Sequence, residues 1–217
     1  MAAVKRRARG RIDRDLIVER AVAIADREGI DALTMRRLAE ACGLSPMGLY
    51  RHIRDRSELL DLIVQRVLEE IPTPPSRGSW QGRARRLFEG MRSVSLAHPG
   101  VVALGVQRAT PVPAMARFTE HALDIVTQAG FAWREAMMVY DAMLMFTIGS
   151  VLWQIPRTGA EREGLLRSAT PSEMPHLFDY ASVLGSRDPD AYFSYGFVAL
   201  LAGLEKQGGR RPRARGA

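Results

Sequence analysis

Three features of these 217 residues predict an all-α fold. Apolar side chains recur at helical spacing, capping residues and prolines stand where helices would open, and runs that alternate like half-buried strands are nearly absent. The expected organisation is a small N-terminal module at 12–70, a linker at 71–79 and a larger helical body at 80–207. Two short basic ends, 1–11 and 208–217, are expected to be disordered.

The first helix follows from Ile12, Leu16, Ile17, Ala21, Ile24 and Ala25, with charged residues between them and Gly29 as its stop. Thr34 can cap a second, short helix, Met35 to Ala41, ended by Gly43. Ser45-Pro46 reads as a cap with proline at the first helical position, opening a third helix to about Arg51. Asp55-Arg56-Ser57-Glu58 is an acidic form of the capping box and opens a fourth helix to about Glu70. The clearest break is Pro72 to Ser79, rich in proline, serine and glycine. Beyond it, helices are expected at Trp80–Ala97, from Pro111 and Pro113 to Gly130, and at Trp133–Gln154. His98, ahead of Pro99, is expected to cap a helix end, and Val101 to Val106 to form a short apolar segment. Residues 156–172 read as loop, with Thr170-Pro171-Ser172-Glu173 as a helix start, and Asp188-Pro189 opens the last helix to Lys206.

The composition narrows the function classes. Apolar residues make up 47% of the chain, enough for a sizeable core. No run of about 18 residues lacks charged or strongly polar groups, so no membrane span is expected, and the basic N-terminus leads into Asp13 and Asp15, not into an apolar signal core. A cytoplasmic protein is the default expectation. Cys42 is the only cysteine, which rules out an internal disulfide and any cysteine-clustered zinc site, and a small apolar core residue is its expected role. The net charge of +7 belongs to the ends: residues 1–11 and 206–217 hold five basic groups each, and the rest has 21 basic against 24 acidic residues. The high charge is therefore no sign of a basic binding face, although an N-terminal arm could touch a polyanion beside it.

The informative stretch is Thr34 to His52. Two short helices joined by Cys42-Gly43-Leu44-Ser45 match a helix-turn-helix, whose tight turn a glycine fits, while Leu38, Ala39, Leu44 and Leu49 supply the contacts that lock the pair onto the first helix. The second helix of the pair would offer Ser45, Pro46, Met47 and Gly48 to base edges in the major groove. Pro46 and Met47 can pack on thymine methyls, and Ser45 can hydrogen-bond to bases or phosphate. Residues 34–56 carry five arginines against Glu40 and Asp55.

This stretch resembles the tetracycline-repressor (TetR) family of regulators, in Ala32 to Ala39, Gly43-Leu44-Ser45, Leu49-Tyr50-Arg51-His52-Ile53 and Glu58-Leu59-Leu60. The resemblance implies a three-helix DNA-binding domain whose fourth helix links it to a dimeric ligand-binding body. It implies that Thr34 and Tyr50 contact phosphates, that Arg36 reaches a base or phosphate, and that Arg56 grips the backbone. Arg51 completes the expected DNA-binding set, and His52 is expected to pack within the module.

The second part resembles the tetracycline-repressor branch itself, in Gly78 to Gln81, Leu96-Ala97-His98, Leu104-Gly105, Gln128 to Phe131, Phe146 to Gly149 with Val151-Leu152, and Gly203 to Gln207. That likeness implies a homodimer built on two long helices from each subunit. Met137 to Leu152 and Tyr192 to Leu204 are apolar over more of their circumference than one buried stripe needs. In tetracycline repressors a chelated Mg²⁺ and its drug are held by a histidine before the Leu-Gly, a glutamate after the Val-Leu and an asparagine on an earlier helix. Those positions here carry Ala103, Trp153 and Leu87, which cannot supply the oxygen-rich shell of a hard cation. No metal or cofactor is therefore expected. Phe88, Met91, Leu104, Met115, Phe118, Met138, Met143, Phe146 and Trp153 are expected to line an apolar, adaptable pocket in part.

The expected partners are double-stranded operator DNA, a small and largely apolar effector, and a second copy of the chain, with no membrane. Enzymatic chemistry is not expected, because His52, His98, His121 and His176 are dispersed without acidic partners at helical spacing. A purely architectural helical protein would differ by binding DNA without regard to sequence.

Overall fold

The computed structural model describes residues 13–107, 112–154, 163–164, 167, 171–183, 186 and 188–208. The basic ends, most of 155–170 and the expected cap residue Thr170 lie outside them. Among the described residues the regular structure is helical throughout, α-helical apart from short 3-10 turns. The helices are α1 (Arg14–Glu28), α2 (Met35–Cys42), α3 (Pro46–Tyr50), α4 (Arg56–Leu68), α5 (Trp80–Ala97), α6 (Pro99–Gln107), α7 (Pro113–Gln128), α8 (Trp133–Gln154), α9 (Pro175–Val183) and α10 (Pro189–Gly208). A 3-10 turn, Ile30–Ala32, joins α1 to α2.

Two helix starts differ from the sequence reading. His98-Pro99-Gly100 ends α5 but opens α6 at once, because proline at a first helical position needs no amide hydrogen bond. The apolar run at 101–106 is thus the body of a helix. Pro171, Ser172 and Glu173 form a turn, and α9 starts two residues later at Pro175.

The contacts divide the chain into two compact units, Met1–Pro72 with Ser93–Thr119, and Thr73–Arg92 with Glu120–Ala217. The sequence division at 71–79 has a different outline, since α6 and the start of α7 pack with the N-terminal helices. In the first unit Ile17, Ala21, Ile24, Leu33, Leu38, Leu49, Ile53, Leu59 and Ile63 form a closed core, joined by Val101 and Val112. Each of these leucines, isoleucines and valines contributes about 1.5–3 kcal/mol by leaving water. Cys42 packs on the edge of this core, and burial pushes its thiol above the ordinary value, so it behaves as a small apolar group.

His98 does more than cap. Its Nδ1 lies 2.8 Å from Asp26 Oδ2 and its Nε2 3.1 Å from Glu70 Oε2, so one ring bridges α1 and the end of α4 within the first unit. In the second unit α8 packs on α10. The buried side of α8 is Ala136, Val139, Met143, Thr147 and Val151, spaced three and four residues apart. That of α10 is Phe193, Phe197 and Leu201.

Candidate DNA-binding surface and effector site

Each short helix of the reading head is held by its own cap. The hydroxyl of Thr34 accepts from the Arg37 amide at 3.1 Å to start α2. Gly43 ends α2 in the left-handed region (φ 67°, ψ 28°), with its amide donating to Glu40 and the Leu44 amide donating to Ala39 at 2.9 Å. That reversal needs glycine for its backbone and not for space, since a Cβ there would meet nothing within 4 Å. Two residues later the Ser45 hydroxyl accepts from the Gly48 amide at 3.1 Å and Pro46 stands at the first helical position. Leu49, fully buried, pins α3 to the core.

These anchors leave one face of α3 outward. Met47 is 72% exposed and Tyr50 48%, both large apolar-bodied groups held in water on a five-residue helix. Ser45, Pro46 and Arg51 are exposed beside them, and Gly48 is half-buried. Large exposed side chains on a rigidly capped element suit recognition better than stability.

The arginines sort into two groups. Arg37 is bound by two bonds to Glu28, Nη2 at 2.7 Å and Nε at 3.2 Å, which lowers the Glu28 carboxyl below its usual range and ties α2 to the end of α1. Arg54 pairs with Asp55 at 2.9 Å, Arg36 with Glu40 at 3.1 Å, and Arg56 donates through Nη1 to the Leu33 carbonyl. Arg56, expected to grip the DNA backbone, is thus also a strut between α4 and the entrance to α2. Arg51 is exposed and has no ion pair among the described residues. Counting five arginines in the sequence therefore overstates the charge that is free before DNA arrives, although exposed pairs exchange readily.

Asp55 caps α4 by accepting from the Glu58 amide at 2.8 Å. The capping box is not fully reciprocal: Glu58 Oε2 accepts from the Arg54 amide at 2.6 Å, while its Oε1 receives Arg14. The Asp55 carboxyl is lowered, first by the Glu58 amide and then by Arg54. The His52 ring is half-buried within the module.

The expected pocket residues are divided between the two units. Leu104 and Met115 pack on the core of the first unit, and Phe118 is buried in that unit. Met138 and Trp153 are exposed, Trp153 by 53%. Phe88, Met91, Met143 and Phe146 belong to the second unit, where Phe88 and Phe146 meet two residues the sequence reading passed over, Phe193 and Phe197. The four-residue spacing of Phe193 and Phe197 on one helix was the available signal. Arg92 on α5 is buried as well, of which a lone arginine in sequence gives no hint.

Family comparison agrees with this architecture. Residues 17–63 match the family described as "Bacterial regulatory proteins, tetR family", and residues 71–208 the "Tetracyclin repressor-like, C-terminal domain". The chain is 29% identical over 204 residues to the tetracycline repressor protein class D of Escherichia coli, covering 91% of each. It is 30% identical to apo ActR from Streptomyces coelicolor, with a TM-score of 0.79 over 93% of this chain and 99% of that one. The structure of ActR in complex with actinorhodin matches at the same identity and TM-score. With a capped helix-turn-helix at one end and a matching helical body at the other, the chain belongs to the TetR family of bacterial transcriptional regulators.

Proposed function

We propose that this chain is a homodimeric repressor that binds a pseudo-palindromic operator and is released by a small, largely apolar effector other than Mg-tetracycline. The observation that carries the DNA half is α3, capped at its start, pinned by Leu49 and presenting Met47, Tyr50 and Arg51 outward. Two such helices, one per subunit, enter successive major grooves. Met47 and Pro46 read thymine methyls, Ser45 and the Gly48 backbone approach base edges or phosphate, and Thr34, Arg36, Tyr50, Arg51 and Arg56 hold the backbone. The basic N-terminal arm, if it reaches DNA, adds salt-dependent affinity.

The effector half rests on the second unit, with support from a relative solved with actinorhodin. The residues present do not fit a chelated magnesium ion. Leu87 is buried apolar core and Trp153 is half exposed, and among the described residues no three histidine, cysteine or acidic side chains gather where an ion could sit. An effector shifts the dimer toward a spacing wrong for DNA only as far as it prefers that state.

Dimerisation is supported by α8 and α10. By length and composition α8 could cross a membrane, yet its outward Met137, Met138, Met145, Leu152 and Trp153 stand on a helix packed against α10, which exposes Tyr192, Tyr195 and Val198. We read this apolar surface as the face that meets a second copy in the cytoplasm. The role is regulatory, with no chemistry assigned to it.

The decisive experiment titrates the purified protein against DNA from upstream of its own or a neighbouring gene. A saturable shift at a two-fold symmetric site is expected, and Arg36→Ala with Tyr50→Ala together should weaken it by about 10-fold or more. Undiminished affinity in that double variant would sink the assignment of contacts.

A further inference from the structure

We propose that Arg92 is the polar end of the effector site, and that the effector is a flat aromatic molecule with a hydrogen-bond-accepting oxygen, carbonyl or carboxylate, that takes the Arg92 Nε–H. This rests on the effector reading above and narrows it from apolar to aromatic with one acceptor.

Arg92 stands one turn beyond Phe88 on α5, and its side chain is only 8% exposed. Nη1 lies 2.7 Å from Asp190 Oδ1, Nη2 donates to the Pro189 carbonyl at 3.3 Å, and the guanidinium carbon sits 4.8 Å from the centre of the Phe193 ring. Nε is buried and has no hydrogen-bond partner among the described residues. A guanidinium offers five N–H groups in one plane, and a buried donor left unmet is costly, so native proteins rarely keep one without a use. Thr147, the buried polar residue of α8, is already spent on the Met143 carbonyl at 2.8 Å.

The surroundings specify the rest of the ligand. Phe193 and Phe197 stack at 5.2 Å, Phe88 meets Phe197 at 5.6 Å, and Phe146 touches both at 5.7 and 5.9 Å. Gly196 is what lets Phe146 lie on α10, since a Cβ there would fall 2.5 Å from the ring. These rings pack on one another, so a ligand that enters among them has to stack as a flat π-system, while Met91 and Met143, both buried, repack around its outline. Asp190 already balances the positive charge, so a neutral oxygen serves as well as an anionic one.

The test uses the full-length protein with matched probes, 2-methylnaphthalene against 2-naphthoic acid and fluorene against 9-fluorenone, read by thermal stabilisation and by release of bound operator DNA. The oxygen-bearing member of each pair should bind about 10-fold or more tightly. Arg92→Met should erase that preference, and so should Arg92→Lys, which keeps a charge for Asp190 but has no planar Nε–H. Asp190→Asn should keep it. If Arg92→Met fails to fold, judged by circular dichroism, Arg92→Lys decides. Equal binding within each pair, or a preference retained in Arg92→Lys, overturns the proposal while leaving an apolar effector site standing. Failure of all four compounds to bind overturns this proposal together with the aromatic effector site.

Discussion

Gly100 lies so close to Ala25 that a Cβ added to it would fall 2.6 Å from the Ala25 carbonyl oxygen. The neighbour is backbone, so α6 meets α1 at a distance no larger residue allows. Gly100→Ala should therefore force α6 away from α1 at a cost of about 1–3 kcal/mol. Gly105→Ala, on the same helix, would place its Cβ 3.9 Å from Val64 Cγ1, an ordinary contact, and should be neutral or stabilising by up to about 1 kcal/mol through helix propensity. Thermal or urea melting of the pair checks this. Equal effects would show that α6 and α1 are not in backbone contact.

That contact also shows where sequence reasoning stops. Caps and turn glycines are local signals, which is why Thr34, Gly43, Ser45 and Asp55 were legible, and with them the helix-turn-helix and its exposed Met47 and Tyr50. The role of Gly100 depends on a residue 75 positions earlier, and the pairing of α6 with the N-terminal helices depends on such contacts throughout. Which unit each residue of the apolar effector set packs in is hidden for the same reason. Leu104, Met115 and Met143 look alike as sequence, but the first two serve the core of the first unit while Met143 is buried in the second. Likewise, the arginine count around α3 says nothing of which charges are already paired.

The free charge can be measured. Arg51→Ala should weaken operator binding nearly uniformly across sequences and reduce the slope of log affinity against log salt by about 1. Arg54→Ala, whose guanidinium is held by Asp55, should change the slope less. Met47→Ala should leave the slope unchanged and relax discrimination at one thymine by about 1 kcal/mol. Affinities of the three variants on consensus and single-mismatch operators at several salt concentrations separate these effects. A slope change for Met47→Ala would show that its loss disturbs docking instead of readout.

Acid should loosen the reading head before neutral or alkaline pH does. The Asp55 and Glu28 carboxyls are both held below their ordinary values in the fold, by the Glu58 amide and by Arg37 respectively. A group lowered on folding gives stability that is complete above its unfolded value and is lost as the pH falls through the folded one. Melting temperature should thus drop as the pH goes from about 5 towards 2. Asp55→Asn keeps a good helix cap but no longer titrates, so it should melt near the parent at neutral pH and fall less steeply in acid. Parallel acid profiles for parent and variant would remove Asp55 from this account.

Tyr195 offers the sharpest test of the dimer. It is 82% exposed, with Tyr192 and Val198 three residues to either side, while Phe193 and Phe197 carry the buried side of the same helix. A helix needs only one apolar stripe to join its own core, so a second stripe of this size calls for another surface. In a two-fold interface every substitution appears twice, and Tyr195→Glu would bring two carboxylates into one apolar contact. Sedimentation should then show a monomer with unchanged helicity, and operator affinity should fall because two half-sites are no longer read together. Met145→Glu on α8, 67% exposed, should act in the same direction. A variant that stays dimeric with either glutamate would place the subunit contact elsewhere and leave the exposed stripes of α8 and α10 for a different partner.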